Sequence, residues 1–158
     1  MDFEKMMETL QTMAVFQGLE LHQLTVLASM AKEVAYAEGD MVFREGEVGK
    51  TVYLIQDGQV ALDIYVPGRG PVTILTVGPG QLLGWSSLFS TERKTANGRV
   101  VKPTNAIALD ANELRQLCRQ DHELGCIIAW RVSELIAGRL KATRLQLLDI
   151  FAPLEPIR

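Results

Sequence analysis

Few side chains in this sequence are equipped for chemistry. His22 and His122 are the only histidines and Cys118 and Cys126 the only cysteines. A metal-dependent enzyme on a β-scaffold needs several His and carboxylate ligands projecting from strands, yet both histidines fall at or in helical stretches. The two cysteines also fall on helical stretches, without CxxC or Cys/His spacing, and read as buried, reduced thiols. A serine nucleophile with a histidine base would want a G-x-S-x-G elbow or a local pairing of the two, and the sequence has neither. What remains suits binding: the paired hydroxyls Ser86 and Ser87, followed by the cations Arg93, Lys94 and Arg99. Arg99 opens a predicted strand and is the leading candidate for the partner of an anionic ligand. The alternative for it is a strand arginine paired to a carboxylate, and Arg93 with Lys94 reads as a solvated turn.

These residues need a scaffold, and composition says which kind. A chain of 158 residues, 47% hydrophobic and 22% charged, is one domain able to bury roughly 70% of its unfolded-chain surface, and is too apolar for disorder. Sixteen Lys+Arg against nineteen Asp+Glu leave a net charge of −3, which excludes the broad positive field of a nonspecific nucleic-acid binder; DNA binding would require a local basic surface. The N-terminus lacks a secretory pattern and no apolar run approaches the roughly 18 residues of a membrane span, so a cytoplasmic protein is expected.

Periodicity divides the chain in three. Met6, Leu10 and Met13, then Leu21, Leu24, Leu27, Ala28 and Ala31, predict two short amphipathic helices within residues 1–33. From Val34 to Asp110, glycines at short intervals separate segments rich in Val, Ile, Leu, Tyr and Thr, which predicts a β-roll or barrel of short antiparallel strands. Strands are read at Met41–Arg44, Thr51–Gln56, Val60–Tyr65, Val72–Val77, Arg99–Val101 and Asn105–Leu109, with Asp57-Gly58 as a tight hairpin turn. Residues 111–151 return to helix: Ala111–Gln120, then a helix from His122 to Phe151 capped by Asp121 and ended by Pro153, with 152–158 as a tail. Some thirty helical residues extend about 45 Å, more than a small roll covers. One apolar stripe runs through Leu124, Ile128, Leu135 and Ala142, a second through Val132, Ile136, Leu140, Leu147 and Phe151. The second predicts a homodimer through the 122–151 helix; the alternative is a single helix lying across the roll with ordinary surface leucines.

Particular residues add a family resemblance. Phe16-x-Gly18-Leu19, Gly39-Asp40-Met41-Val42-Phe43 and above all Glu45-Gly46-Glu47-Val48-Gly49-Lys50-Thr51-Val52-Tyr53-Leu54-Ile55-x-x-Gly58-x-Val60 resemble the cyclic-nucleotide-binding domain family over roughly Phe16 to Leu148. The resemblance implies an α+β fold: an antiparallel β-roll, a double-stranded β-helix of jelly-roll-like form, flanked by N-terminal helices and a long C-terminal helix. It further implies that Gly78-Pro79-Gly80-Gln81-x-x-Gly84 enters a phosphate-binding cassette, here 78–99, whose backbone N–H groups face a cyclic phosphate. Nucleotide-binding members place after the cassette glycine a Glu that accepts from the ribose 2′-OH, and further along an Arg that pairs with the phosphate. Here Trp85 stands at the Glu position and can only donate, and the Arg position falls on Thr95 or Ala96. A missing charge-assisted contact costs about 1.5–3 kcal/mol, so cAMP affinity of about 10 μM or poorer is expected. Arg139-Leu140-Lys141-Ala142-Thr143 resembles the segment from which catabolite-activator-like members present a Thr to the adenine.

The candidate ligand-binding set is therefore Gly84, Trp85, Ser86, Ser87, Asn97, Arg99 and Thr143, with Trp85 either a stacking platform or a core aromatic. No catalytic or metal-binding residue is assigned, and no cofactor is expected beyond a cyclic nucleotide or another anionic ligand. The chain stops at Arg158, which predicts no helix-turn-helix element. The leading reading is a stand-alone, non-enzymatic regulatory or sensor protein, homodimeric and without a membrane segment, acting on an unknown protein partner. A ligand-free dimerisation scaffold of the same fold competes with it, and a cupin-type metal enzyme is the remote alternative.

Overall fold

The computed structural model describes residues 1–89 and 93–152; Ser90, Thr91 and Glu92 of the polar run, and the tail from Pro153, including the proline expected to stop the last helix, lie outside the described residues. Two helices open the chain, α1 (Phe3–Thr12) and α2 (Leu21–Met30), joined through a 3-10 turn at Ala14–Phe16. Six antiparallel strands follow, β1 (Lys32–Tyr36), β2 (Met41–Phe43), β3 (Thr51–Val66), β4 (Gly70–Val77), β5 (Leu82–Leu83) and β6 (Asn97–Asp110), then α3 (Ala111–Gln120) and α4 (His122–Phe151). The sheet runs β1-β6-β3-β4, with β2 also paired to β6 and β5 to β3. This is the expected α+β architecture.

Strand alternation gives the sheet two apolar faces. Val52 and Leu54 of β3 and Ile107 and Leu109 of β6 face the helices, where they pack with Leu10, Leu27, Leu114, Leu124 and Ile128. Ile55, Val60, Val100 and Ala106 turn the other way and fill the roll with Val77 and Leu83. Each such Leu or Ile contributes about 1.5–3 kcal/mol by leaving water.

Several expected boundaries move. Asp57-Gly58 is no hairpin: β3 continues through it, paired with β6 from Thr51↔Asp110 to Asp63↔Asn97, and the register slips between Ile55 and Val60. Gly58 has φ +95°, and a Cβ there would collide with the Pro103 carbonyl and Thr104. An Asp-Gly pair fits a bulge as well as a turn, and a partner strand long enough to continue the ladder decides between them. The two strands expected at 99–101 and 105–109 likewise merge into β6, while β1 was not anticipated: it buries no residue completely, and exists through pairing with β6 from Lys32↔Ala108 to Tyr36↔Thr104.

Asp121 caps α4 as expected, its carboxylate accepting from Leu124 N at 3.0 Å and from Gln23 Nε2 at 3.0 Å. These bonds, the Leu124 amide first, hold its carboxyl below the usual range. The thiols expected to be buried are not, Cys118 being half-buried and Cys126 exposed, and the two stripes of α4 divide differently from expectation. Val132 is buried with Leu124 and Ile128, Ala142 is exposed, and beyond Arg139 the helix runs clear of the roll with Leu140, Leu147, Leu148, Ile150 and Phe151 all exposed.

Candidate functional site

Gly84 precedes the 3-10 turn Trp85–Leu88 in the left-handed region, φ +78°, and a Cβ there would stand 2.9 Å from the Thr51 carbonyl. Both constraints select glycine and aim the following residues across the mouth of the roll. Ser87 is 2% exposed while Ser86 faces solvent. Opposite them the chain returns through residues 93–94, stitched to the loop before β3. Val48 and Arg93 form an antiparallel bridge, Lys94 N donates to the Glu47 carbonyl at 2.7 Å, and Gly46 N donates to the Lys94 carbonyl at 2.8 Å. Arg93 spends its guanidinium on the Gly46 carbonyl, 2.7 Å away.

This stitching turns the Lys94 side chain inward. Its Nζ lies 3.1 Å from Ser87 Oγ and 3.3 Å from Ser86 Oγ, and 4.6 Å from the centre of the Phe43 ring. Gly49 leaves the space that the Lys94 stem occupies; a Cβ on Gly49 would overlap that stem and Ser87 Oγ. No carboxylate pairs with Lys94 among the described residues. Burial pushes its ammonium below the usual lysine range, because a half-desolvated cation is held by neutral hydroxyls and an aromatic face alone. Lys94 is thus not part of a solvated turn: its ammonium lies against the hydroxyls that follow Gly84.

The other expected site residues are placed as follows. Arg99 donates through Nε to Asp63 Oδ2 at 2.7 Å, and Thr73 Oγ1 donates to Asp63 Oδ1 at 2.6 Å. Asp63 is 5% exposed, and the Arg99 hydrogen bond, assisted by Thr73, keeps its carboxyl below the ordinary range. Among the described residues no hydrogen bond links Arg99 to the Gly84–Ser87 turn. Trp85 is partly buried against the helix-side core, edge-on to Phe89 with ring centres 6.3 Å apart. Asn97 accepts the Glu45 N–H at 2.7 Å and so braces the loop beside β2. Thr143 is exposed on the free part of α4, its hydroxyl donating to the Arg139 carbonyl one turn back. Arg139, not singled out for a contact beforehand, adds a side-chain hydrogen bond from α4 to the roll, donating to the Leu82 carbonyl at 2.9 Å; burial lowers its pKa. Beneath the turn, Tyr53 and Tyr36 meet edge-on at 6.3 Å, and burial with their mutual hydrogen bond raises the Tyr36 phenol well above its usual value. Among the described residues, no three His, Cys, Asp or Glu side chains group as a metal site would require, and no helix is long and apolar enough to cross a membrane.

A two-faced antiparallel roll, a glycine-initiated turn with a cation held against its hydroxyls, and a long helix crossing from the roll define a ligand-sensing domain class. The chain belongs to the cyclic nucleotide-binding domain family, whose sequence profile matches residues 33–121. It is 29% identical over 143 residues to a CRP-like cAMP-activated global transcriptional regulator of Mycobacterium tuberculosis, spanning 90% of this chain and 62% of that protein. To the cyclic AMP receptor protein of Thermus thermophilus it is 28% identical, over 84% of this chain and 60% of the relative. The chain therefore spans about three fifths of these relatives. A cyclic nucleotide-binding domain from Methylobacillus flagellatus has the same fold, with a TM-score of 0.80 over 98% of this chain and 86% of that one at 23% identity.

Proposed function

We propose that this chain is a non-enzymatic, cytoplasmic regulatory sensor whose cassette receives a phosphate-bearing ligand on Lys94, and whose long helix joins two copies. The carrying observation is the Lys94 ammonium, half-desolvated, without an ion-pair partner among the described residues, and flanked by Ser86 and Ser87 hydroxyls. A cation so placed gains most when an anion arrives, because the desolvation cost is already met in the folded protein. Trp85 offers the ribose no acceptor, so cyclic nucleotides bind weakly, cAMP at about 10 μM or poorer. The exposed Leu140, Leu147 and Phe151 form the seam with a second α4. Arg139 on Leu82 O ties that helix to the strand leading into the cassette, so a ligand that resets the turn acts on the helix through this bond.

Isothermal titration of the full chain with cAMP, cGMP and cyclic dinucleotides at 0.15 M salt tests the reading. Saturable binding by one of them that is lost in Lys94→Met supports it. Absence of binding by all of them at millimolar concentration overturns it in favour of a ligand-free scaffold, and submicromolar cAMP affinity overturns the weakened-cassette part.

A further inference from the structure

A cavity of about 460 Å³ lies between α3, α4 and the end of the Trp85–Leu88 turn, within the size range of pockets that hold small organic ligands. Its apolar lining consists of Leu88 and Ile128, both buried, with Phe89 and Ala129, both exposed. Its polar edge carries Arg115, Arg119 and His122, and no carboxylate lines it among the described residues. Neither guanidinium forms an ion pair among those residues either, although the chain as a whole carries a net charge of −3. Arg115 is also held in place, Nη2 donating to Asn112 Oδ1 at 2.9 Å and Nη1 to the Ser87 carbonyl at 3.2 Å.

An apolar lining with two guanidinium groups that have no carboxylate partner among the described residues suits a particular kind of molecule. The planar fork of arginine matches a carboxylate with two parallel hydrogen bonds, and the apolar lining rewards each methylene removed from water. We propose that this cavity binds a small amphipathic carboxylate, a fatty acid of short to medium chain, with its head group on Arg115 and Arg119 and its chain against Leu88, Phe89 and Ile128. The site borders the cassette through Leu88 and Phe89, is not lined by Lys94, and does not rest on the reading given above. The two touch at Ser87, whose hydroxyl lies against Lys94 and whose carbonyl takes Arg115, so a carboxylate competing for Arg115 acts on the turn that carries Ser87.

The experiment is calorimetry of the full chain with sodium octanoate, and with 1-octanol as the uncharged control. Expected are saturable one-to-one octanoate binding, at least tenfold weaker octanol binding, and affinity rising several-fold from hexanoate to octanoate. Arg119→Gln, at an exposed position, weakens octanoate at least fivefold, and Ala129→Phe, which takes up space in the cavity, abolishes it. Cys126 is exposed and lines the same cavity, so octanoate also slows its alkylation by iodoacetamide; this measurement and Arg119→Gln decide the matter if Ala129→Phe does not fold. Absence of octanoate binding, octanol binding as well as octanoate, or binding unchanged in Arg119→Gln overturns the proposal. Octanoate binding that disappears in Lys94→Met places the carboxylate in the cassette and overturns it equally.

Discussion

Lys94 is where a single side chain separates ligand binding from folding. Lys94→Met keeps the length of the stem over Phe43 and removes the charge. In the free protein the ammonium is held by hydroxyls at 3.1 and 3.3 Å with no carboxylate among the described residues, so little favourable energy is lost and the melting temperature stays unchanged or rises. With a phosphate bound, the same change deletes a charge-assisted hydrogen bond of about 1.5–3 kcal/mol, a loss of roughly 10- to 150-fold in affinity. The pH dependence follows from the lowered Lys94 pKa. Between that value and the ordinary 10.5 the unfolded chain holds a proton that the folded chain has released, so folding stability gains as pH rises through this window. Phosphate binding needs the ammonium and fades over the same rise, at lower pH than an ordinary lysine would show. Lys94→Arg keeps binding across that range because a guanidinium remains protonated. Ligand-observed NMR with cAMP from neutral to alkaline pH reads all three proteins. Wild-type affinity in Lys94→Met, or identical pH profiles for wild type and Lys94→Arg, would refute the reasoning.

Other substitutions address separate parts of the fold. Ile136→Asp with Leu140→Asp yields a monomer by sedimentation velocity, and a wild-type protein already monomeric at micromolar concentration sinks the α4 seam. Arg99→Ala leaves the Asp63 carboxylate with Thr73 as its remaining side-chain partner among the described residues and lowers stability at neutral pH, measured by urea denaturation. Because the folded Asp63 pKa lies below 3.8, the wild-type pair stabilises above that value and loses its contribution as pH falls through the folded pKa, so the gap between wild type and variant closes in acid; cAMP affinity and its salt dependence stay unchanged. Trp85→Glu combined with Lys94→Arg supplies a ribose acceptor and a forked phosphate partner, and tightens cAMP binding at least tenfold while lowering stability through lost packing on the helix-side core; unaltered affinity would place the obstacle in the turn's backbone. Gly58→Ala forces a side chain into positive φ and against Pro103 and Thr104, at about 1–3 kcal/mol; a smaller loss would show that the bulge relaxes.

Local physics makes part of this protein legible in its sequence. The spacing of Leu21, Leu24, Leu27 and Ala28 marks α2, Asp121 stands at the start of a helical run, and the run from Glu45 to Val60 with its glycines is the strongest part of the family resemblance. These signals concern neighbours a few residues apart, where backbone preference and side-chain period act without reference to the rest of the chain. The tertiary structure decided everything that depends on a distant partner. Asp57-Gly58 becomes a bulge because β6 lies alongside to continue the ladder, and β1, which buries nothing completely, exists only because the same strand offers its edge. The cassette cation is the most consequential case. Sequence puts Arg99 first and reads Arg93 with Lys94 as a solvated turn, but Gly46 and Asp63 claim the two arginines, and the bridge from Val48 to Arg93 turns Lys94 inward. Charge alone cannot rank three cations close together in sequence; the backbone pairing that aims each side chain can.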